Sequence, residues 1–245
     1  ELIFLARGRI PLTINKLAHG EETEWNAHTR DVPHFTEYMR RQFERRMRWQ
    51  IVRITDDVGM MLDSPILLVT GSKDPAFTDA EWAKLREYSL RGGTLLFVPS
   101  HHAKPFADAV AARLKDFYVD QRGVPAAAGK HYELAALPAD HPLYTGYVKV
   151  PRGDAAWPIR AVSDGTRLLA ILSDKDICCP WQRRSVTREA DAYAIGVNIF
   201  MTATGANKLS TRLRPVFVGG EAGEVRHRVK VARLEHGGNW NTQPY

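Results

Sequence analysis

The first half of the chain alternates between short apolar runs and amphipathic stretches. The apolar runs, rich in branched and aromatic residues, predict strands, and they cover residues 2–10, 49–54, 65–71 and 94–100. Apolar residues spaced by three and four predict helices, and these cover residues 32–47, 78–93 and 104–118. The polar residues 15–30 predict an irregular segment. This alternation predicts an α/β fold with a mostly parallel sheet, residues 65–71 near its centre, and helices on both faces.

The second half has weaker patterns. Residues 131–137 and 144–150 each predict a strand, and residues 191–205 predict a helix with one apolar face. Two further strands within residues 159–173 flank Asp164–Gly165, a dipeptide typical of a tight hairpin turn. The clearest helix signal in the chain is Thr78 with Glu81, which predicts a capping box, followed by Gly92–Gly93 as the stop.

Composition limits the class of protein. Apolar residues make up 44% of the 245 residues and charged residues 25%, the balance of a globular domain. No apolar run approaches the ~20 residues of a membrane-spanning helix, so we expect no transmembrane segment in this chain. The net charge of +6 is concentrated in residues 40–48 and 226–233. These basic runs carry no recognisable nucleic-acid motif, which favours solvated faces; binding of residues 40–48 to nucleic acid or to anionic membrane stays an alternative.

The end of the chain repeats features of its beginning. An Ala-Arg pair and a later Trp-Asn pair occur at both ends: Ala6–Arg7 with Trp25–Asn26, and Ala232–Arg233 with Trp240–Asn241. We therefore predict a main domain over residues 1–220 and a second part over residues 221–245, comprising a linker and a strand. That second part is either the start of a similar repeat or an interaction tail. Four apolar side chains are its candidate contacts with a partner or a second subunit: Val229, Val231, Leu234 and Trp240.

Four segments, in this order, resemble the bacterial domain-of-unknown-function family 4159: residues 77–100, 137–150, 165–182 and 191–205. The resemblance extends from about Ile3 to Gly205. It implies a flavodoxin-like three-layer sandwich of the class I glutamine amidotransferase-like type, and it favours an exported or periplasmic bacterial protein. It implies no reaction. Where members usually carry an acidic pair after the strand that follows Gly-Gly, this chain has Pro99 to His102.

Polar residues follow several predicted strands. In an open parallel sheet ligands bind outside the carboxyl ends of the strands, so residues at these ends are the candidates for a site. The candidate pocket residues are Asp56, Asp57, Ser72, Lys73 and Cys178. The candidate catalytic residues are Ser100, His101, His102 and Asp176.

Neither of two specific chemistries has its usual motif. A nucleophilic cysteine needs a tight turn flanked by small residues, and the turn at residues 99–105 has no cysteine. Metal-ligand residue types occur at His101, His102, His141, Asp176 and Cys178, but their spacing matches no metal-site pattern. The adjacent Cys178 and Cys179 provide no disulfide framework. We therefore expect no cofactor or metal.

Two functions remain open. The first is a non-catalytic, amidotransferase-like domain that acts as an interaction or scaffold module of a larger protein or assembly, with a protein partner or as a homo-oligomer. In that case His101 and His102 line a remnant pocket or a contact surface. The alternative is a hydrolase or metal-dependent enzyme that uses Ser100, His101, His102 and Asp176. The alternative requires these groups to lie within about 6 Å of one another.

Overall fold

The computed structural model describes residues 12–118, 132–150 and 153–205. The chain divides into two units, Glu1–Arg212 and Leu213–Tyr245, and every described residue belongs to the first. The strand predicted over residues 2–10 and the basic run 226–233 lie outside the described residues, as do the four candidate contacts of the tail, Val229, Val231, Leu234 and Trp240. Of the helices that are described, none is long and apolar enough to cross a membrane.

Within the described residues the strands form one seven-stranded sheet in the order β2-β1-β3-β4-β7-β6-β5. The strands are β1 (Leu12–Ala18), β2 (Arg48–Arg53), β3 (Ile66–Gly71), β4 (Thr94–Pro99), β5 (Ala135–Ala136), β6 (Ile159–Ser163) and β7 (Leu168–Ser173). The first five strands in this spatial order pair in parallel, and β6 and β5 continue the sheet in antiparallel fashion. The predicted mostly parallel α/β sheet is confirmed, with β3 beside the central strand.

Helices connect the strands and cover the sheet. They are α1 (Glu22–Trp25), α2 (Asp31–Phe43), α3 (Val58–Met61), α4 (Asp79–Leu90), α5 (Lys104–Leu114), α6 (Pro142–Thr145), α7 (Gly153–Ala156), α8 (Cys178–Gln182) and α9 (Ala190–Thr204). Ser100–His102 form a single 3₁₀ turn between β4 and α5. The predicted hairpin is present, since β6 and β7 pair around Gly165, whose φ is 94°.

The core has two halves, one on each face of the sheet. Strands β3 and β4 are buried along their whole length, and their side chains alternate between the two halves, as the period of two in a strand requires. Helices α2, α8 and α9 pack on one face, and α4 and α5 pack on the other. Both faces are therefore covered, which explains why the central strands are continuous apolar runs in the sequence.

The N-terminus of α4 has the predicted capping box. The Thr78 hydroxyl accepts from the Glu81 N–H at 3.3 Å, and the Glu81 carboxylate accepts from the Thr78 N–H at 2.8 Å. We expect Thr78→Ala to lower the free energy of unfolding by about 1 kcal/mol because it removes the cap. Urea denaturation measures this effect, and Thr78→Ser, which keeps the hydroxyl, is the control. Equal stability of the two variants would show that the cap contributes nothing.

Two predicted segments are wrong. Residues 15–30 are not irregular throughout, because β1 and α1 occupy half of them. The polar side chains of β1 are the reason why the sequence predicts an irregular segment. In the fold these side chains are buried and have hydrogen-bond partners, such as Thr13 with Thr36 and Asn15 with the Met61 carbonyl. Residues 144–150 are not a strand either, since Pro142 starts α6 and no strand follows it among them.

Three further predicted elements are present but shorter. The strand predicted over residues 131–137 is described from residue 132 and reduces to the two residues of β5. The helix predicted over residues 32–47 ends at Phe43, because Glu44 adopts a left-handed backbone with φ 49°. The helix predicted over residues 104–118 ends at Leu114.

Candidate functional site

The candidate site lies at the carboxyl edge of the parallel strands. The chain passes from β1 to β2 on one side of β1 and then to β3 on its other side, so the connections reverse direction between β1 and β3. Such a reversal leaves a crevice at the carboxyl ends, where open α/β sheets bind ligands. The connection after β1 lies over the end of β3: the Thr70 hydroxyl donates to the Trp25 carbonyl at 2.5 Å, and the His19 Nε2–H donates to the Thr70 carbonyl at 3.0 Å.

Asp176, which follows β7, is the centre of the site. Its Oδ2 accepts from His28 Nε2–H at 2.7 Å and from the backbone N–H of His101 at 2.6 Å. Its Oδ1 accepts from the backbone N–H groups of Cys178 and Cys179 at 3.0 and 2.9 Å. The carboxylate therefore joins the connection after β1, the turn after β4 and the start of α8.

The environment keeps Asp176 ionised. The side chain is almost fully buried, and burial alone raises the pKa of a carboxyl. The hydrogen bond and charge of His28, together with the backbone N–H groups of His101 and Cys179, outweigh that burial and bring the pKa of Asp176 below its ordinary value. Asp176 is thus a fixed anion that orients the His28 ring.

The turn after β4 has an unusual backbone. His101 and His102 have φ values of 55° and 60°, in the left-handed region that residues other than glycine rarely occupy. Each such residue costs roughly 1–3 kcal/mol, and such residues cluster at functional sites. A sharp strand-to-helix turn of this kind presents the nucleophile in α/β-hydrolases. In this protein the turn carries the imidazole side chains of His101 and His102.

Both histidines of this turn contact the centre of the site. The His101 ring is exposed, and its centroid lies 4.8 Å from that of His28. His102 accepts a hydrogen bond at Nδ1 from the Asp176 backbone N–H at 3.1 Å. The residues His101, His102 and Asp176 are therefore neighbours, but the contacts described for them run through the backbone N–H groups of His101 and Asp176. The alternative function requires the side chains of Ser100, His101, His102 and Asp176 to meet, and these contacts do not test that requirement.

Ser100 lies in the same turn but is buried. Its side chain is 1% exposed, and its hydroxyl has no hydrogen-bond partner among the described residues. Burying a hydroxyl without a hydrogen-bond partner lowers the stability of the fold by roughly 1–3 kcal/mol. Helix or strand propensity does not explain why a serine stands at this position.

A cysteine completes the group. Cys179 is partly exposed, and one ligand atom each from His28, Asp176 and Cys179 all lie within 4.8 Å of one another. Burial, followed by the charge of Asp176, raises the pKa of the Cys179 thiol. The neighbouring Cys178 is fully buried, and burial and the nearby Asp31 raise its pKa as well. Neither thiol is an activated nucleophile in this environment.

The other predicted pocket residues have separate partners. The Asp56 carboxylate accepts from the Arg53 backbone N–H at 2.8 Å, and the Asp57 carboxylate caps α3 by accepting from Gly59 at 2.7 Å. Ser72 donates a short hydrogen bond to Glu24, and Lys73 forms an ion pair with Glu24 at 2.9 Å.

His141, also considered as a metal ligand, caps α6 through Nδ1. These five residues make structural contacts, and the contacts described for them include none to Asp176.

A family model with the description Domain of unknown function (DUF4159) matches residues 13–204 of the chain. The chain belongs to the DUF4159 family. No curated protein matches it. The matched span includes all five groups that meet at the carboxyl edge of this DUF4159 domain: His28, His101, His102, Asp176 and Cys179.

Sequence reasoning missed two residues of the candidate site. His28 was overlooked because β1 was not recognised, and with it the carboxyl end that His28 follows. Had β1 been assigned, the histidine in the connection after it would have joined the candidates by the same rule that selected His101. Cys179 was overlooked in favour of its neighbour, because the sequence gives no signal for which of two adjacent cysteines points into the core.

Proposed function

We propose that this DUF4159 domain is a metal-dependent enzyme of the hydrolase type, with a zinc-class ion bound at the carboxyl edge of the sheet. The observation that carries the proposal is the approach of ligand atoms from His28, Asp176 and Cys179 to within 4.8 Å of one another. These residues come from two connections on different strands, so their meeting is a property of the fold and not of local sequence.

The donor set fits zinc. One imidazole nitrogen, one carboxylate oxygen and one thiolate sulfur are ligand types that Zn²⁺ accepts, and three protein ligands leave a fourth position for water. Ligand atoms around one zinc ion lie roughly 3–4 Å apart, so the three groups need only small movements to enclose an ion. The ion would replace the proton that His28 and Asp176 now share. It would also offset the raised pKa of Cys179, because a coordinating thiol is deprotonated.

The surroundings suit hydrolysis. A zinc-bound water has a pKa of about 7, so it provides a strong nucleophile at neutral pH. If an ion were bound there, the exposed His101 ring, whose centroid lies 4.8 Å from that of His28, would be a candidate to accept a proton from such a water. The left-handed backbone of His101 and His102 supports a functional role for this turn.

Metal content tests the proposal. We expect the metal-free protein to bind one equivalent of Zn²⁺ per chain in competition with a chromophoric chelator. We expect Co²⁺ to give a thiolate-to-metal charge-transfer band that Cys179→Ser abolishes, because sulfur ligation is the source of that band. Cys178→Ala is the matched control and should keep the band, provided that circular dichroism shows it folded. Failure of the wild-type protein to bind either ion, or a band that survives Cys179→Ser, would contradict the proposal.

A second candidate is the interaction or scaffold module, with a protein partner or a second copy of the chain. The observation that favours it is the saturation of Asp176, whose two oxygens already accept four hydrogen bonds, the number that a carboxylate can accept. Such a carboxylate joins the turn after β4 to α8 without any ligand. If the protein binds no metal, the interaction or scaffold module becomes the favoured function in place of the metal-dependent enzyme.

The finer fold assignment belongs to the same proposal. We propose a flavodoxin-like sandwich of the class I glutamine amidotransferase-like type, in a larger bacterial protein. The order of the parallel strands, β2-β1-β3-β4-β7, supports it, because flavodoxin-like folds have the equivalent order 2-1-3-4-5.

A further inference from the structure

A buried ion pair lies directly beneath the site. Lys16, in β1, and Asp31, at the start of α2, have side chains that are 2% and 1% exposed. Lysine and aspartate are almost never buried to this extent without a specific partner. The pair therefore needs an explanation beyond the general stability of the fold.

The lysine uses its full hydrogen-bonding capacity. Its Nζ donates to both Asp31 oxygens at 2.8 and 2.9 Å and to the His28 carbonyl at 2.7 Å. An ammonium group has three N–H donors, so all three are engaged. One of the three holds the backbone of His28 itself.

The aspartate is held by the backbone and influences the other side of the site. The Val32 backbone N–H donates to the Asp31 carboxylate at 2.6 Å. Burial, and after it the charge of Asp31, raises the pKa of the Cys178 thiol. Cys178 is the residue next to Cys179, so Asp31 acts electrostatically on the segment that carries one proposed ligand, while Lys16 holds the backbone of another, His28.

Stability does not account for such a pair. The cost of removing two charges from water can exceed their attraction, and apolar replacements of equal volume are often at least as stable. Burial raises the pKa of Asp31 against the effect of Lys16, which shows how poorly solvated the carboxylate is. A contact that is costly to bury and touches the site from below points to a positioning role.

We propose that Lys16 and Asp31 are positioning residues for the metal site: Lys16 fixes the His28 backbone, and Asp31 holds Lys16 in place, so that His28 keeps the separation from Asp176 and Cys179 that lets the three enclose one ion. The inference rests on the proposed function, since it concerns the same site. Neither residue touches the ion, so both act through the ligands.

The test is a double variant, Lys16→Met with Asp31→Leu, which replaces the pair by apolar side chains of similar size. Zn²⁺ affinity should fall about 10–100-fold, as is typical when groups behind metal ligands are removed. The ligand-field bands of bound Co²⁺ should also shift, which a merely structural change elsewhere would not cause. The matched control is Thr13→Val with Thr36→Val, which breaks a buried contact between the same two elements without touching His28. It should bind Zn²⁺ like the wild type.

The outcomes separate the two proposals. If the wild type binds no metal, the proposed function fails and this inference fails with it. If the wild type binds Zn²⁺ and the folded double variant binds it equally well with an unchanged Co²⁺ spectrum, only the positioning role is overturned. Should the double variant not fold, Asp31→Asn takes its place, because it keeps the shape of the side chain and loses the charge. Unchanged affinity in Asp31→Asn would then overturn the positioning role.

Discussion

Replacing Asp176 with alanine should lower the free energy of unfolding by about 3–5 kcal/mol, because it removes a buried carboxylate together with the four hydrogen bonds that it accepts. His28 would lose the carboxylate that orients it, and three backbone N–H groups would lose their acceptor. The left-handed turn at His101 would lose a contact that offsets its conformational cost. Urea denaturation measures the change, and Zn²⁺ binding should be lost as well.

Two variants make this result specific. Asp174→Ala is the matched control, because Asp174 also follows β7 but is about one-third exposed and pairs with Arg160 near the surface; it should cost less than about 1 kcal/mol. Asp176→Asn keeps the shape and one acceptor oxygen, so it should fold if the alanine variant does not, while still losing metal affinity. If Asp176→Ala were as stable as Asp174→Ala, Asp176 would not hold these segments together.

The same carboxylate predicts a pH effect. Its pKa in the folded protein lies below the ordinary value of 3.8. Its stabilising contribution is therefore fully present above that value and is lost as the pH falls through the lower, folded pKa. The stability of Asp176→Ala should accordingly fall less steeply in acid than that of the wild type.

Replacing Trp181 with alanine should lower the free energy of unfolding by about 3–5 kcal/mol, the usual cost of truncating a large buried aromatic residue. Trp181, in α8, is fully buried, and its ring stacks on Phe35 of α2 with centroids 4.2 Å apart. Its indole N–H also donates to the Ala192 carbonyl at 3.2 Å. The residue thus joins α2, α8 and α9, and α8 is the helix that carries Cys179.

Trp49 provides the matched control for this prediction. It lies on β2, the outermost strand of the sheet that the described residues form, and is only partly buried, so Trp49→Ala should cost clearly less. Urea denaturation of both variants decides the matter. If Trp181→Ala cost no more than Trp49→Ala, the packing of α8 would not depend on this side chain, and the positioning of Cys179 would need another cause.

Much of the fold could be predicted from sequence because its central elements follow simple patterns. Strands β3 and β4 are buried on both faces and are therefore uniformly apolar. The start of helix α4 can be predicted because Thr78 and Glu81 have the spacing of a capping box. Strand β1 is different, since Thr13, Asn15 and Lys16 are polar and are buried only because partners distant in sequence satisfy them. No local pattern reveals such partners.

The site was predictable only in part for the same reason. Asp176 and His101 were candidates because each follows a recognisable strand. The partner of Asp176, His28, is 148 residues away in sequence, and Cys179 has the same residue type as its buried neighbour. Spacing rules for metal sites describe ligands that are close along the chain, so they miss ligands gathered from separate connections of a sheet.

The central claim is that His28, Asp176 and Cys179 enclose one metal ion, and anomalous X-ray scattering tests it most directly. Crystals of the protein grown with Zn²⁺ would be measured on both sides of the zinc absorption edge. The account predicts an anomalous peak within bonding distance, roughly 2.0–2.3 Å, of a His28 ring nitrogen, an Asp176 oxygen and the Cys179 sulfur. Crystals that contain Zn²⁺ but place no peak there, with the His28–Asp176 hydrogen bond intact, would contradict it.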